Sequence, residues 1–523
     1  MPGIVTYKFR LNNATQLYES FTEAANINTR YYMFLGRAQP WGTIDTVAPT
    51  PTDTIQNTDF NVWRNMLAVK RCTATDVRFV TTRYNWTTGT VYTPYSHRNT
   101  SLYSSNFYVV TSSYNVYKCI DNNNGATSTV EPTATGTSIF KTSDGYSWKF
   151  MYNITASDVL KFVTSSYIPV KTLTSDDSSI QWDVQQAAVN GAVEFVKLTA
   201  NGSGYLSTNG TFAAVTNSTV VQLASHSSGT DDVYNYSSLY IKSGLGSGQL
   251  RRIVNYVGAT KTITVNGAFT TTPNTESQYY IGPRVSVVGD GTGALAYANV
   301  TLPALASSTT GNSINGIIII NKGSNYSKYE IVIDANTSHG SSATANGNIA
   351  PYGGHGSDPV KELGAYNVML SVKFDGSESN TLFTNNDFRI IGLMSNPNLA
   401  NGNQANSTVY DMTTRLTVTS KSGSFSADEI ISGGTSGAKA RFVTFSNTNA
   451  TGTAGVVSVT GLDGAFSTSE TLTGNTSSVT ATLSSINKRD LKDFDGDILY
   501  VENRLPISRA SDQSEDIKLT VRF

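Results

Sequence analysis

The sequence predicts a mainly β protein, and three features of its residue usage carry that prediction. Only 14% of the 523 residues are charged, and the polar fraction consists largely of Thr, Ser, Asn and Gly. Tyr and Phe are abundant, at 28 and 21 residues, which argues against a disordered chain. β-Branched and aromatic residues favour strands, whereas Gly and Asn favour turns. The length predicts about three domains.

The first segment, residues 1–186, contains the clearest helices. Asn13 is a candidate cap for a helix over ATQLYESFTEA, in which Leu17 and Phe21 share one face. The run RYYMFLGR that follows predicts a buried strand entering a turn at Gly36.

Further along the same segment, the loop VAPTPTDT is too rich in Pro and Thr for a regular element. A second helix is predicted next, with Thr58 or Asp59 as its cap. Its apolar stripe consists of Phe60, Trp63 and Leu67. FYVVTSSYNVYKCI then predicts a hairpin, and DGYSWKFMYNI predicts a strand after a turn.

The middle segment, residues 187–356, contains few aromatic residues and weak internal repeats. VKLTANGSGY from Val196 matches IIIINKGSNY from Ile317 in its G-S-x-Y ending. GTGALAYANV from Gly291 matches GSSATANGNI from Gly340 in its alternating small residues. A strand, a Gly-containing turn and a second strand form a hairpin-building unit, so we predict an inserted β-rich domain.

A second repeat lies between residues 416 and 486. FSADEIISGGTSGAKARF from Phe425 aligns with FSTSETLTGNTSSVTATL from Phe466. Two copies are too few for a solenoid, so the repeat predicts a small β module. The chain then ends in an alternation typical of a half-buried antiparallel strand. Its apolar side comprises Ile517, Leu519, Val521 and Phe523.

Because the residue composition of the first segment returns twice later in the chain, the simplest interpretation is one core domain with two insertions. We predict that the core comprises residues 1–186, 357–415 and 487–523. The insertions are the β-rich domain at 187–356 and the β module at 416–486.

The core segments resemble a known family in order and spacing. The matching stretches are FLGRAQPW (34–41), TPTDT (50–54), TVEP with SDGYSWKFMYNI and SYIPV, FRIIGLMSNP (388–397) and ILYVENRLPISRASDQSEDIKLTVRF (498–523). Together they resemble the gene-product-eight baseplate wedge family of T-even-like contractile-tailed bacteriophages. The resemblance covers about half of the chain and leaves the two insertions without a counterpart.

The resemblance implies a β-sandwich core with helix-bearing loops, assembled as a homodimer within a baseplate wedge. The implied partners are other wedge subunits, and the implied location is the virion tail baseplate after assembly in the host cytoplasm. The implied role is mechanical: to hold neighbours in register and to change contacts when the fibres engage a host.

The residues themselves predict no catalytic, cofactor-binding or metal-binding site. His97, His226, His339 and His355 are scattered, without H-x-x-x-H spacing, and are interpreted as exposed loop residues. Cys72 and Cys119 form neither a disulfide framework nor a C-x-x-C pair, so we expect two reduced cysteines in or near the core.

Three further motifs point to structure rather than chemistry. Asp493, Asp495, Gly496 and Glu502 follow part of the EF-hand pattern, but Leu491 occupies the first ligand position, so an Asp-Gly turn is the preferred interpretation. Residues 244–252 and 289–293 lack the G-K-[ST] ending of phosphate loops. Phe34, Trp41, Trp63 and Trp148 are interpreted as core or interface residues, with sugar binding as the alternative.

The net charge of -1 and the lack of any basic run predict no nucleic-acid partner. No apolar h-region follows Met1 and no stretch of some 18 apolar residues occurs, so we expect neither a secretory signal nor a membrane span. Two other functions remain open: a receptor-binding fibre or adhesin that recognises a host glycan, and a polysaccharide-degrading tail enzyme. Paired carboxylates from distant positions stay possible for the latter.

Overall fold

A computed structural model describes residues 3–23, 29–42, 45–54, 57–300, 312–334 and 340–523, without the side chains of 57–59. The chain is mainly β, with 43% of residues in strands and 10% in helices, as predicted.

The helices of this structure are short. They are α1 (Tyr7–Ser20), α2 (Asn57–Asn65), α3 (Ala156–Phe162), α4 (Ile180–Ala187) and α5 (Pro359–Glu362). The strands of the first 170 residues are β1 (Tyr31–Gly36), β2 (Met66–Cys72), β3 (Val77–Thr82), β4 (Tyr108–Val110), β5 (Asn115–Asp121), β6 (Ile139–Lys141), β7 (Ser147–Asn153) and β8 (Tyr167–Val170).

The middle strands are β9 (Val196–Ser203), β10 (Thr208–Thr211), β11 (Ala214–Val215), β12 (Val220–Gln222), β13 (Ser238–Ser243), β14 (Leu250–Val257), β15 (Thr262–Val265), β16 (Gln278–Gly282), β17 (Arg284–Gly289), β18 (Thr292–Val300), β19 (Ile314–Ser324), β20 (Tyr329–Ile333) and β21 (Ser341–Gly347). The remaining strands are β22 (Asn367–Asp375), β23 (Asn386–Ser395), β24 (Val409–Asp411), β25 (Thr414–Thr419), β26 (Ile430–Gly433), β27 (Lys439–Asn447), β28 (Gly455–Asp463), β29 (Thr471–Gly474), β30 (Thr480–Asn487), β31 (Asp497–Arg509) and β32 (Ser514–Arg522).

The chain packs as two units. Unit 1 comprises residues 1–81, 156–170 and 365–523, and unit 2 comprises 82–155 and 171–364. The five-segment domain division drawn from composition stays a prediction, since packing into units does not test which segments are insertions.

Unit 1 contains two antiparallel sheets and a barrel. The strand order is β24-β2-β1-β23-β31 in the first sheet and β32-β22-β3-β8 in the second. Strand β2 contacts β22, and residues of both sheets line one cavity, as in a β-sandwich. On the other face of the first sheet, Phe34, Trp63 and Met394 belong to a buried cluster.

The predicted β module is a closed six-stranded barrel, in the order β25-β28-β27-β26-β29-β30. Its two repeats are related by an internal two-fold axis, because equivalent residues pair across it: Leu416 with Val457, and Ser432 with Thr473. The repeat is longer than the sequence suggested, since β25 and β28 also correspond.

Unit 2 contains three sheets. Strands β4-β5-β7-β6 form one, β10-β16-β13-β14-β15-β12-β11 the second and β19-β18-β17-β20-β21-β9 the third. The repeated segments lie in the third sheet, where β18 pairs with β19 and β21 pairs with β9 in the same register and with a bulge at the same place. The prediction that each repeat is a hairpin joined by its Gly turn was wrong, because β9 and β21 are separated in sequence by β10 to β20.

The G-S-x-Y motif has a packing reason in this sheet. Tyr205 and Tyr326 are buried, and each ring covers a glycine at the start of the small-residue strand. A Cβ on Gly340 would lie 2.4 Å from the ring of Tyr205, and one on Gly291 would lie 2.4 Å from the ring of Tyr326. Glycine is therefore required at both positions.

Several local predictions are confirmed. Strand β1 ends at Gly36, residues 47–54 form no regular element, and β4 and β5 form the predicted hairpin. The C-terminal strand β32 is half-buried and antiparallel to β22. Both cysteines are free and buried.

Two helix predictions were wrong in detail. Helix α1 starts at Tyr7, where the Thr6 hydroxyl accepts a hydrogen bond from Phe9 N, so Asn13 lies inside the helix rather than at its cap. Helix α2 ends at Asn65, which leaves Leu67 in strand β2, at an irregularity between Met66 and Ala68, which both pair with β1. The proposed caps Thr58 and Asp59 have side chains outside the described residues.

Candidate functional site

The histidines are dispersed in the structure. His97 Nδ1 accepts a hydrogen bond from Ile349 N at 3.2 Å, and His226 Nε2 lies 2.7 Å from the carbonyl oxygen of Asn209. His355 is buried against the ring of Tyr95, so the prediction of an exposed histidine was wrong there, whereas His339 lies outside the described residues. Burial, with the nearby charge of Lys118, holds the pKa of His355 well below its usual value. In the described part of the chain, no group of three or more His, Cys, Asp or Glu residues could hold a metal ion.

A buried ion pair that sequence reasoning missed lies in unit 2. Lys118 is bonded to Glu362, and both side chains are almost fully buried. Glu362 also accepts hydrogen bonds from Gly356 N at 2.7 Å and Asp358 N at 3.3 Å. Because the partners are far apart in sequence, no local pattern indicates the pair. Because these hydrogen bonds satisfy the buried carboxylate, we interpret the ion pair as part of the structure and not as a functional site.

The calcium-like loop uses its carboxylates for ion pairs. Asp493 lies 3.0 Å from Arg489, and Asp495 lies 2.8 Å from Lys492. Gly496 has a φ of +107° and leads directly into β31, which is the predicted Asp-Gly turn. Residues 244–252 connect and enter the β13–β14 hairpin, and residues 289–293 connect β17 to β18, so neither run opens a helix.

The candidate site of this protein is a surface where segments carrying the family resemblance meet. Its centre is Arg389 of β23, a residue that is only 3% exposed. Its Nε donates to Asp45 Oδ2 at 2.6 Å, and its Nη1 donates to the carbonyl oxygen of Ala38. A second carboxylate, that of Asp387, lies 3.2 Å from Nη2. The arginine therefore fastens the loop after β1 to strand β23.

The same loop is fastened to β31. Trp41 Nε1 donates to the carbonyl oxygen of Arg504 at 2.7 Å, and Asn503 Nδ2 donates to that of Pro49 at 2.9 Å. The Arg37 guanidinium lies over the Trp41 ring at 4.2 Å, a favourable cation–π geometry. These contacts hold the Pro-rich loop on an edge strand of the sheet, where unpaired backbone groups would otherwise be exposed.

The contact with Arg389 stabilises the ionised form of Asp45. The hydrogen bond from Arg389 is the main cause that lowers the pKa of Asp45 below its usual value, and the backbone N–H of Trp41 adds to it. The Asp45 carboxylate is therefore ionised at neutral pH.

Exposed apolar side chains occur on this anchored loop and on the strand that it contacts. We call residues 45–54 together with Leu499 and Leu505 of β31 the loop–strand surface. Val47 is 73% exposed, and both leucines are 51% exposed. Other residues of β31 border, with β32, a cavity of about 300 Å³. Exposed apolar side chains concentrated on a fixed surface are typical of a protein–protein contact rather than of a catalytic site.

The aromatic residues singled out from the sequence divide into two groups. Phe34, Trp63 and Trp148 are buried, whereas Trp41, which contacts β31, is partly exposed. Sequence reasoning missed Arg389, although a charged residue inside the apolar run FRIIGLM indicates that a buried partner must exist.

One family model matches the chain: that described as Bacteriophage T4, Gp8 matches residues 3–131. No curated protein matches the sequence. The match indicates a structural role in a phage baseplate, a location in the virion tail and contact with other baseplate subunits. Within the described residues, no helix is long and apolar enough to cross a membrane.

Proposed function

We propose that this chain, which belongs to the gene-product-eight family of phage baseplate proteins, is a wedge subunit that works by binding its neighbours. The family match over residues 3–131 is the observation that carries the proposal. The protein catalyses no reaction. It holds adjacent subunits in register and changes its contacts when the tail contracts. It is assembled into the baseplate in the host cytoplasm.

The loop–strand surface is the face that we assign to a neighbouring wedge subunit. Apolar burial drives most stable association, and Val47, Leu499 and Leu505 offer apolar area. The anchoring of the loop by Arg389 supports this assignment, because a loop that is already ordered loses little conformational entropy on docking.

Aspartate substitutions on that surface test the assignment. Val47→Asp and Leu499→Asp should prevent incorporation into baseplates, because a buried unpaired carboxylate is costly. The readout is the yield of infective particles when a phage lacking the protein is complemented in the host. Leu160→Asp is the matched control, since Leu160 is 80% exposed on α3 and outside the surface. Normal yield with Val47→Asp and Leu499→Asp would remove the assignment.

A second copy of this chain is the other partner that we propose. The interface should bury on the order of 2,000 Å² or more if the dimer is permanent. Size exclusion with light scattering on the full chain should give a dimer that persists at low micromolar concentration. A trimer would contradict the proposal, as would absence of the protein from purified virions.

We also propose that residues 187–356 and 416–486 are insertions into a wedge core. Separate buried clusters support this division: one centred on Ile253 and Tyr279, one on Val300 and Ile314, and one inside the barrel. A deletion of 416–486 closed by a short linker should leave the dimer intact. Loss of the folded chain on that deletion would count against the division.

Contact changes on contraction are the last part of the proposal. Hydrogen exchange of residues 45–54 should differ between extended and contracted tails, because docked loops exchange slowly and released loops exchange fast. Equal exchange rates in the extended and contracted tails would mean that the contacts of this surface do not change on contraction.

A further inference from the structure

A cleft in unit 2 contains a concentration of positive charge that the baseplate role does not use. The cleft measures about 600 Å³ and lies between the seven-stranded and six-stranded sheets. Arg251 and Arg252 enter it from β14, and Arg284 enters it from β17. The chain as a whole has a net charge of -1, so three arginines in one cleft are a local feature.

The three arginines differ in how many hydrogen bonds and ion pairs their guanidinium groups form within the protein. Arg251 is committed to structure, because its Nε and Nη2 donate to the carbonyl oxygen of Ala268 and its Nη1 to that of Leu250. Arg284 forms a loose ion pair, 3.7 Å from Asp334, with both side chains well exposed.

The guanidinium of Arg252 forms no ion pair within the described residues, in contrast to that of Arg284. Its Nε is buried and has no hydrogen-bond partner within the described residues. The guanidinium lies 4.8 Å from the ring of Tyr236, which is 54% exposed. Its backbone is fixed, since Arg252 N donates to Asn266 Oδ1 and Asn266 N donates to Arg252 O. A stacked guanidinium that no carboxylate of the described residues neutralises is suited to a carboxylate or phosphate ligand.

The small size of the cleft argues against nucleic acid, which requires a long basic track with stacking platforms.

The remaining lining suits a sugar. Ser286 and the amide N–H₂ of Asn266 supply polar groups for hydroxyls, and Leu250 with Leu295 supplies apolar area for a ring face. The volume is typical of small-ligand sites. We propose that this cleft binds a saccharide that carries a carboxylate or phosphate group, with Arg252 and Arg284 as the anion-binding residues. The site is independent of the wedge assignment.

Calorimetric titration of the full-length protein at low salt tests the proposal. The probes are glucose 6-phosphate and glucuronate. Glucose is the uncharged control, and inorganic phosphate is the control without a sugar. At least one charged sugar should bind more tightly than either control. Arg252→Gln should weaken that binding about tenfold or more, because it removes a charge-assisted hydrogen bond. Arg284→Gln should weaken it too.

Arg98→Gln, which changes an exposed arginine of the same unit outside the cleft, should leave binding unchanged. If Arg252→Gln does not fold, as judged by its melting curve, Arg284→Gln alone decides. Equal binding of glucose and the charged sugars would overturn the proposal, as would equal binding of inorganic phosphate and glucose 6-phosphate. Retention of affinity in both cleft variants, or displacement of the sugar by a low concentration of oligothymidylate, would also overturn it.

Discussion

Glu429 and Glu470 occupy equivalent positions in the two barrel repeats, and each carboxylate binds the turn of the other repeat. Glu429 accepts hydrogen bonds from Thr476 N, Ser477 N and Ser477 Oγ at 2.7–2.9 Å. Glu470 accepts the equivalent bonds from Thr435 N, Ser436 N and Ser436 Oγ at 2.9–3.0 Å. A fourth bond to each comes from its own repeat, from Ser426 N and Ser467 N. Each repeat therefore supplies the carboxylate that binds the turn of the other repeat, and these reciprocal hydrogen bonds link the two halves of the barrel.

Substitution of either glutamate should loosen the whole barrel. Glu429→Gln presents an amide N–H₂ to backbone donors, so we expect a loss of about 2 kcal/mol in local stability and roughly 30-fold faster amide exchange over residues 414–487. Glu470→Gln should match it because of the two-fold relation. Hydrogen-exchange mass spectrometry gives the measurement, with Glu330→Gln, at an exposed position of β20, as the control. Fast exchange confined to one turn would contradict the reciprocal arrangement.

The glycines beside these carboxylates should be equally intolerant. A Cβ on Gly433 would lie 2.6 Å from Glu470 Oε2, and one on Gly474 would lie 2.6 Å from Glu429 Oε1. Gly433→Ala and Gly474→Ala should each cost about 1–3 kcal/mol, as overpacking generally does. Gly316→Ala, where nothing lies within 4 Å of the added Cβ, should have little effect. The same exchange experiment measures all three variants, and a neutral Gly433→Ala would refute the close approach.

Acid should weaken the barrel through the same two groups. Burial alone would raise the pKa of Glu429 and Glu470, but the backbone and hydroxyl donors outweigh it and hold both pKa values below the usual one. A lowered pKa in the folded state means that the carboxylates stabilise the fold above the unfolded value, about 4.3, and that this contribution is lost as the pH falls through the folded pKa.

We therefore expect exchange protection of residues 414–487, corrected for intrinsic rates, to be constant from pH 7 to about 5 and to fall below about 4. The double variant Glu429→Gln with Glu470→Gln should show a smaller fall over that window. An equal fall in the variant and the parent would assign the acid sensitivity to other groups.

Removal of Arg389 should release the loop at the candidate interface. Arg389→Met deletes the bonds to Asp45 and Ala38 and leaves a partly exposed carboxylate that can rehydrate, so the cost should be about 2–3 kcal/mol. The expected readout is faster proteolysis within residues 37–54. Arg64→Gln, at a 48% exposed side chain, is the control. Unchanged cleavage in Arg389→Met would show that Trp41 and Asn503 hold the loop without it.

The long-range pairs that build the sites were outside the reach of sequence reasoning. Arg389 meets Asp45, and Lys118 meets Glu362, across long stretches of chain. A charged residue inside an apolar strand indicates that a partner exists, but it carries no information on which carboxylate the fold brings there. The cleft arginines Arg252 and Arg284 were missed for the same reason.

What the sequence determined by itself was local: strand periodicity, the turns, the two repeats and the family resemblance, because each rests on neighbouring residues or on motif order. The Asp495–Gly496 turn and strand β32 followed from such patterns. The tertiary structure decided the features that local sequence patterns do not specify. It set the start of α1 at Tyr7 and assigned Leu67 to a strand, since sheet pairing and packing outweigh weak helical preference. It also closed the barrel, because register and closure depend on contacts between strands far apart in the chain.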